Sequence, residues 1–229
     1  MDKKEFRLSP SSLNLFLECP RCFWLQINEN IHRPRGAYPS LPSGMDNVIK
    51  VYFDRYRAKG KLPPEIEGEV RGKLIADPEL LKKWRNWKTG LEYKDNGIGV
   101  TLFGALDDCL VHSTSSGQEE YFPLDYKTRG SAPREGDSEK YYGNQLDCYA
   151  LLLEENNYPV GEFGYLIYYY PKEVKEKGNV IFEVELIKLK IDPERARRTI
   201  QEAVKLLHSP IPPHHSECEY CIWGRNNGD

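Results

Sequence analysis

The sequence lacks any run that approaches the roughly 20 consecutive apolar residues of a membrane-spanning helix. The opening segment, Met1–Phe6, also lacks the apolar stretch of a secretory signal. Both absences favour a cytoplasmic location. Internal repeats and low-complexity tracts are missing too, so the pattern is that of an ordinary globular chain rather than a repeat array.

The chain also carries little net charge. Its formal value is −3 over 229 residues, with 39% hydrophobic and 29% charged residues. This composition is typical of a globular protein with one substantial core, or with a core and a small lobe. A slightly negative charge argues against non-specific coating of nucleic acid. It does not exclude a nuclease, in which an acidic metal site coexists with local basic patches.

Six cysteines are present, and structural disulfides are not expected in a reducing cytoplasm. Four of them form two Cys-x-x-Cys pairs, Cys19 with Cys22 and Cys218 with Cys221. Four thiolates in two such pairs suit a tetrahedral zinc ion or an iron–sulfur cluster. Binding at both pairs would tie the two ends of the chain together.

The other two cysteines and the nearby histidines are interpreted structurally. Cys109 and Cys148 fall within predicted elements and are expected in the core. His214 and His215 precede the second cysteine pair and are interpreted as part of a solvated linker, with metal ligation as the alternative.

Hydrophobic periodicity predicts alternating helices and strands, with a proline- and glycine-rich loop over His32–Gly44. The predicted helices are Met45–Arg57, Glu79–Lys88, Ser138–Glu155 and one that begins after Asp192. The predicted strands are Leu91–Lys94, Gly99–Val111, Glu120–Lys127, Phe163–Tyr170 (ended by Pro171) and Val180–Lys190. Strands, then a helix, then strands on one sheet indicate an α/β core with mixed pairing.

Two tryptophans, Trp84 and Trp87, lie among cations in the predicted helix Glu79–Lys88. We interpret both as core anchors whose neighbouring cations form a solvated rim. Stacking on single-stranded nucleic acid, with the cations as phosphate contacts, is the alternative.

Two apolar runs that each lead into acidic residues, Phe103–Asp108 and Tyr121–Thr128, flank the turn Ser113–Gly117 and predict a β-hairpin. Side chains alternate along a strand, so Asp125 and Lys127 are expected on one face. Tyr126 is then expected on the opposite face.

Such a hairpin would bring two carboxylates and one ammonium group close together. Mg²⁺ usually takes one or two carboxylates together with waters and substrate phosphate, and Asp107 and Asp125 could supply the carboxylates. The carbonyl of Tyr126 would add a third oxygen, and Lys127 could orient a water and offset charge on a phosphate. Spacing alone leaves open an exposed hairpin with ordinary surface charges.

Several motifs together resemble the PD-(D/E)XK nuclease superfamily. They are Gly104–Asp107, Asp125–Thr128 and, on the following helix, Gln145 with Tyr149 four residues later. More narrowly, the chain resembles the RecB-like branch, which includes the CRISPR-associated iron–sulfur exonucleases. The segment Leu8–Leu13 leading to Cys19-Pro20-Arg21 and the cysteine pair near the end of the chain add to this resemblance.

The resemblance implies a fold in which a mixed central sheet is flanked by helices, with a restriction-endonuclease-like αβββαβ core. A small cysteine-stapled lobe would join the two termini. We therefore expect one nuclease-like domain over residues 1–229, with a metal-cluster lobe formed by residues 1–30 and 208–224. The nuclease core is expected over approximately residues 90–190.

The implied function is a DNA nuclease dependent on Mg²⁺ or Mn²⁺, acting as an exonuclease. Asp107, Asp125, Lys127 and Gln145 are its expected catalytic residues, with Asp107, Asp125 and the Tyr126 carbonyl as metal ligands. The expected partners are DNA, either single-stranded or with free ends, and a helicase or CRISPR adaptation proteins. The alternative is a catalytically impaired module that binds nucleic acid or a partner protein.

The sequence departs from the family at one position of the metal site. Relatives usually carry a histidine or glutamate four residues after a glycine on an N-terminal helix, whereas Gly44 is followed there by Val48. Asp46 and Asp54 are nearby carboxylates, and we take Asp46 and Tyr149 as additional site candidates. Whether the site binds one or two metals stays open.

The cysteines depart from the family too. Relatives with a cluster commonly use one N-terminal and three C-terminal cysteines, whereas this chain has two at each end. Because the count still reaches four, the expected ligands are Cys19, Cys22, Cys218 and Cys221. The resemblance favours a 4Fe-4S cluster, with Zn²⁺ as the alternative.

Overall fold

The computed structural model describes residues 5–34, 36 and 40–227. Most of Met1–Phe6, part of the predicted loop His32–Gly44 and the first residues of the predicted cysteine lobe lie outside the described residues. The helices are α1 (Pro10–Glu18), α2 (Pro20–Asn28), α3 (Ser40–Arg57), α4 (Pro78–Arg85), α5 (Asp137–Glu155), α6 (Pro193–Leu207) and α7 (Glu219–Asn227). The strands are β1 (Phe6–Leu8), β2 (Lys73–Leu74), β3 (Leu91–Asp95), β4 (Val100–Gly104), β5 (Asp108–Ser113), β6 (Glu119–Thr128), β7 (Phe163–Val174) and β8 (Val180–Lys190).

The strands form two sheets. The larger has the order β2-β5-β6-β7-β8, in which β6 and β7 are parallel and the other neighbours are antiparallel. The smaller has the order β1-β4-β3, with β1 parallel and β3 antiparallel to β4. Helix α5 connects the parallel pair β6 and β7, as a parallel crossover requires.

Each face of the larger sheet has its own core. On one face, the α5 residues Leu146–Leu153 pack with α1, α4, α6 and the smaller sheet. On the other face, Ile49 and Phe53 of α3 pack on Leu124 and Tyr126 of β6. The sheet is thus covered by helices on both sides, and the predicted mixed α/β architecture is confirmed.

Helix starts follow the capping signals in the sequence. Ser9 caps α1 through a hydrogen bond from the Ser12 amide, the Ser12 side chain returns a bond to Ser9, and Pro10 takes the first helical position. Asp192 caps α6 in the same way, followed by Pro193. At α2 the capping atom is the sulfur of Cys19, which accepts from the Cys22 amide.

The predicted single strand Gly99–Val111 is wrong. The chain forms β4 in the smaller sheet, leaves the ladder at Gly104, and starts β5 in the larger sheet at Asp108. Between them the Leu106 amide donates to the Trp84 carbonyl, so α4 takes up the hydrogen bond that a strand partner would otherwise supply. The break leaves Asp107 in a connecting segment rather than within a strand.

Two other predicted boundaries, the start of α3 and the end of β7, are wrong because prolines were taken to exclude regular structure there. Pro42 lies in the first turn of α3, where a missing amide hydrogen costs no helical bond, so the helix begins at Ser40 instead of Met45. Pro171 does not end β7, because the strand passes it through a register shift and continues to Val174.

The two tryptophans differ in environment. Trp84 is buried in the core, as interpreted, whereas the interpretation of Trp87 as a core anchor is wrong. Trp87 lies beyond the end of α4 and is 70% exposed. Among the described helices, none is both long and apolar enough to cross a membrane.

Candidate active site

Two acidic residues meet where β5 begins alongside β6. Asp108 pairs with Leu124 in the antiparallel ladder, so the preceding residue, Asp107, lies next to Asp125. The Asp107 carboxylate is close enough to Asp125 to help raise the pKa of that carboxyl group. The amide of Tyr126 points toward Asp107 Oδ2 at 3.5 Å. The structure thus places Asp107, just before β5, beside Asp125 of β6, the two residues that the sequence analysis proposed as metal ligands.

Lys127 and Gln145 complete the group from two different elements. The ammonium group of Lys127 forms an ion pair with Asp125 Oδ2 and donates to Gln145 Oε1 at 3.0 Å. Gln145 Nε2 donates to Asp125 Oδ1 at 3.0 Å. Asp125, Lys127 and Gln145 thus form a closed triangle between β6 and α5.

Two tyrosines of α5 border this triangle. Gln145 Nε2 also donates to the Tyr149 hydroxyl oxygen at 2.6 Å, and Tyr149 is otherwise buried in the core. Lys127 Nζ lies 4.4 Å from the centroid of the Tyr142 ring, an arrangement that stabilises a cation. Tyr142 was not identified from the sequence, although it lies one helical turn before Gln145.

Burial shapes the protonation of the central pair. Burial raises the pKa of Asp125 to about 7; the Lys127 ammonium opposes this rise, whereas the Asp107 carboxylate adds to it. Burial alone would lower the pKa of Lys127, but the carboxylates of Asp125 and Asp107 raise it above its ordinary value. Lys127 is therefore a cation that its neighbours keep charged.

The neighbouring aspartate, Asp108, has a different task. It is fully buried and accepts hydrogen bonds from Arg57, from Arg85 Nη2 at 3.1 Å and from the Tyr126 hydroxyl at 2.6 Å. Arg85 Nε also donates to the Asp107 carbonyl at 2.6 Å. This network fixes α3 and α4 against β5 and holds the backbone of Asp107 in place.

The position where relatives carry a histidine is not part of the site. Val48 is 65% exposed on α3. Instead, Lys50 reaches the site, with its ammonium 2.7 Å from Asp107 Oδ1 and 2.8 Å from Asp46 Oδ2. Lys50 thus links Asp46 to Asp107 of the acidic pair. Asp54 instead forms ion pairs with Arg57 and Arg85, which also contact Asp108.

Lys50 is a second site residue that sequence reasoning missed. Its signal was its spacing from Asp46, four residues earlier, and from Asp54, four residues later, which places all three on one face of α3. The sequence does not reveal which loop that face meets.

Comparison with known proteins gives the family. The sequence profile of the PD-(D/E)XK nuclease superfamily matches residues 47–225. The chain belongs to this superfamily. Its members generally hydrolyse phosphodiester bonds with the help of divalent metal ions. No curated protein sequence matches the chain. Among solved structures, the crystal structure of SSO0001 is similar over 98% of this chain and 87% of that chain, with 16% sequence identity and a TM-score of 0.46.

The acidic group of this nuclease-family chain fits a divalent cation. The two oxygens of Asp125 contact Lys127 and Gln145, and because each carboxylate oxygen has two lone pairs, both can still accept a metal ion. Two neighbouring carboxylates repel each other unless a cation or a shared proton lies between them. Asp107, Lys50 and Lys127 are each partly exposed, so the site is open to solvent on one side.

The four cysteines of the two predicted pairs also meet. Cys19 Sγ lies 3.5 Å from Cys221 Sγ, and Cys22 Sγ lies 3.6 Å from Cys218 Sγ. The four sulfur atoms of this quartet lie within 4.8 Å of one another, which is close enough for all of them to bind one metal ion. Cys109 and Cys148 are buried in the core, as expected.

The two histidines near the quartet are not placed as its ligands. His214 Nδ1 lies 2.9 Å from the Cys221 carbonyl oxygen, and His215 Nδ1 accepts from the Glu217 amide at 3.4 Å. Both contacts stabilise the segment that leads into α7.

The adjacent aspartates provide a test of this division of roles. Replacing Asp108 by alanine leaves Arg57 and Arg85 without their buried partner, so we expect Asp108→Ala to lower the free energy of unfolding by about 3–5 kcal/mol. Asp107→Ala relieves repulsion with Asp125 and loses a partly exposed ion pair, so its expected change is within about 1 kcal/mol. Denaturant unfolding followed by circular dichroism measures both. Equal losses in the two variants would contradict the assignment.

Proposed function

We propose that the chain is a metal-dependent DNA exonuclease of the RecB-like, CRISPR-associated type. The observation that supports it most is the closed contact group of Asp125, Lys127 and Gln145 beside Asp107. The group joins two potential metal ligands to a cation held at a fixed position. Residues 90–190 form the proposed nuclease core within a single domain, and residues 1–30 and 208–224 form the proposed accessory lobe.

The proposed chemistry divides roles among these residues. Asp107, Asp125 and the Tyr126 carbonyl would hold Mg²⁺ or Mn²⁺, with waters and substrate phosphate as the other ligands. When bound, the cation supplies Lewis-acid polarisation of the scissile phosphate. Lys127 stabilises negative charge that develops on the phosphate and orients the attacking water. Gln145 holds the Lys127 ammonium and the Asp125 carboxylate in register, because its amide contacts both.

Cleavage assays test the assignment directly. With Mn²⁺ present, we expect the wild type to degrade linear single- and double-stranded DNA and to leave a closed single-stranded circle intact. Asp125→Asn and Lys127→Ala should each lower the cleavage rate by about 10²-fold or more, because the first removes a charged metal ligand and the second removes a positive charge that acts on the reacting phosphate. Lys172→Ala, which changes an exposed lysine on the distal β7–β8 hairpin, is the matched control.

Other outcomes of this assay have defined meanings. DNA binding without cleavage by the wild type would favour a non-catalytic binding module. Cleavage of the circle would overturn the exonuclease proposal while keeping the nuclease. Unchanged rates in both site variants would overturn the residue assignment.

Lys50 acts in this proposal as a cation that the metal must displace. Its ammonium occupies Asp107 Oδ1, one of the oxygens that a metal would use. We expect Lys50→Met to raise the affinity for Mn²⁺ at least severalfold, since the variant removes both a competitor and a positive charge. Isothermal titration calorimetry measures this affinity without substrate. Lys82→Met, at an exposed lysine of α4, should leave the affinity unchanged, and an equal or weaker affinity of Lys50→Met would contradict the role.

Trp87 is the proposed contact for an unpaired base. It lies two residues along the chain from Arg85, whose guanidinium donates to the Asp107 carbonyl. Its ring is exposed and has the Lys88 ammonium 5.3 Å from its centroid. An exposed aromatic ring with adjacent cations can stack a base and contact a phosphate.

The contribution of this ring is measurable in binding experiments on the Asp125→Asn background, which blocks cleavage. Trp87→Ala should weaken binding of single-stranded DNA roughly tenfold, the loss expected for one stacked base. Trp87→Phe keeps an aromatic face and should retain most of the affinity. Equal binding by Trp87→Ala and its parent would exclude the contact.

A further inference from the structure

The cysteine quartet is built from the starts of two helices. Cys19 caps α2 and Cys22 lies in its first turn, whereas Cys218 immediately precedes α7 and Cys221 lies in its first turn. All four side chains are buried, and none is part of a disulfide. The two pairs face each other across an interface between the beginning and the end of the described chain.

The separation of the sulfurs discriminates between metal centres. All four lie within 4.8 Å of one another, with close contacts of 3.5 Å and 3.6 Å. A tetrahedral zinc ion with Zn–S bonds of about 2.3 Å sets its four sulfurs about 3.8 Å apart. In a 4Fe-4S cluster each cysteine binds a different iron at the corner of a cube, which sets the sulfurs about 6 Å apart.

The quartet is therefore too tight for the cluster that the family resemblance favours. We propose that Cys19, Cys22, Cys218 and Cys221 bind a single zinc ion. The coordination is complete with four thiolates, so the site is structural rather than catalytic. The proposal does not depend on the nuclease assignment, because it involves no residue of the acidic group.

The surroundings of the sulfurs are suited to a negatively charged centre. Four thiolates around Zn²⁺ leave an excess of two negative charges, which outer hydrogen-bond donors commonly offset. Here the Cys22 amide donates to Cys19 Sγ at 3.4 Å, and Arg33 Nη2 donates to Cys218 Sγ at 3.2 Å. The Arg33 guanidinium is itself held by Glu18 and by the ring of Tyr220.

The zinc ion would fasten α7 to the rest of the protein. Arg21 donates to the Pro212 carbonyl at 2.8 Å, and Trp24 donates to the Ser209 carbonyl at 2.9 Å, so α2 also binds the segment that leads to α7. Metal binding to a site absent from the unfolded chain contributes its free energy to folding. Zinc removal should therefore loosen α7 and α2 before the distant strands β6 and β7.

Metal analysis of the full-length wild-type protein tests the proposal. The protein is expressed with added iron and purified without oxygen, and its zinc, iron and acid-labile sulfide are measured together with its visible absorption. We expect one zinc per chain, no visible absorption, and an X-ray absorption spectrum with sulfur neighbours at about 2.3 Å. Four irons with four sulfides, a single iron, or no metal would each overturn it.

Two cysteine variants locate the ion. Cys218→Ser should lose most of the zinc, whereas Cys148→Ser, at a buried cysteine of α5 outside the quartet, should retain it. If Cys218→Ser fails to fold, hydrogen exchange on the wild type after zinc extraction replaces it. Faster exchange confined to α2 and α7 supports the site. Retention of zinc by Cys218→Ser, or unchanged exchange in both helices after extraction, contradicts it.

Discussion

Repulsion between two adjacent carboxylates is the constraint around which the described fold is arranged. Asp107 and Asp125 lie together at the end of an antiparallel ladder, and one of them is almost entirely withdrawn from water. Such a pair is costly unless cations or hydrogen-bond donors compensate it. Lys127 of β6 and Gln145 of α5 compensate Asp125, and Lys50 of α3 compensates Asp107. The site therefore needs both helices, one packed on each face of the sheet, at this end of the β5–β6 ladder.

Strand β6 connects the two helices, because one of its faces carries the charged site residues and the other packs in the core. Asp125 and Lys127 face α5, whereas Leu124 and Tyr126 face α3 and bury their apolar surface there. The Tyr126 ring packs on Phe53 with 4.7 Å between centroids, and its hydroxyl donates to Asp108. Burial on one face thus holds the charged side chains of the other face in register, since a slip by one residue would exchange the two sets.

Local periodicity was enough to predict the parts of the site that lie on single elements. Alternation along β6 places Asp125 and Lys127 together, and helical spacing places Gln145 near Tyr149. Features that depend on how elements meet were not predictable. Nothing in the pair Asp107-Asp108 shows that the first faces the site and the second faces Arg57 and Arg85, because this depends on where the chain passes from one sheet to the other.

Helix α3 illustrates the same limit. Spacing from Gly44 pointed to Val48, but the helix instead directs Lys50 to Asp107 and Asp54 to Arg85. Asp46 contacts Lys50. The helix start after Asp192 was predictable, since a capping signal depends on a few neighbouring residues. The sequence predicted that the two cysteine pairs meet, because together they supply the four ligands of one metal centre. The distances between the sulfurs, which distinguish a zinc ion from a cluster, could be read only from the structure.

The charges of the acidic site also explain how a slightly acidic protein can bind a polyanion. Three carboxylates, those of Asp46, Asp107 and Asp125, face two ammonium groups, those of Lys50 and Lys127. With all of them ionised, the group carries one excess negative charge and repels phosphate. A bound divalent cation would reverse that sign, and it would compete with the Lys50 ammonium for Asp107. Metal and nucleic acid should therefore bind with positive coupling, because each favours the charge state that the other requires.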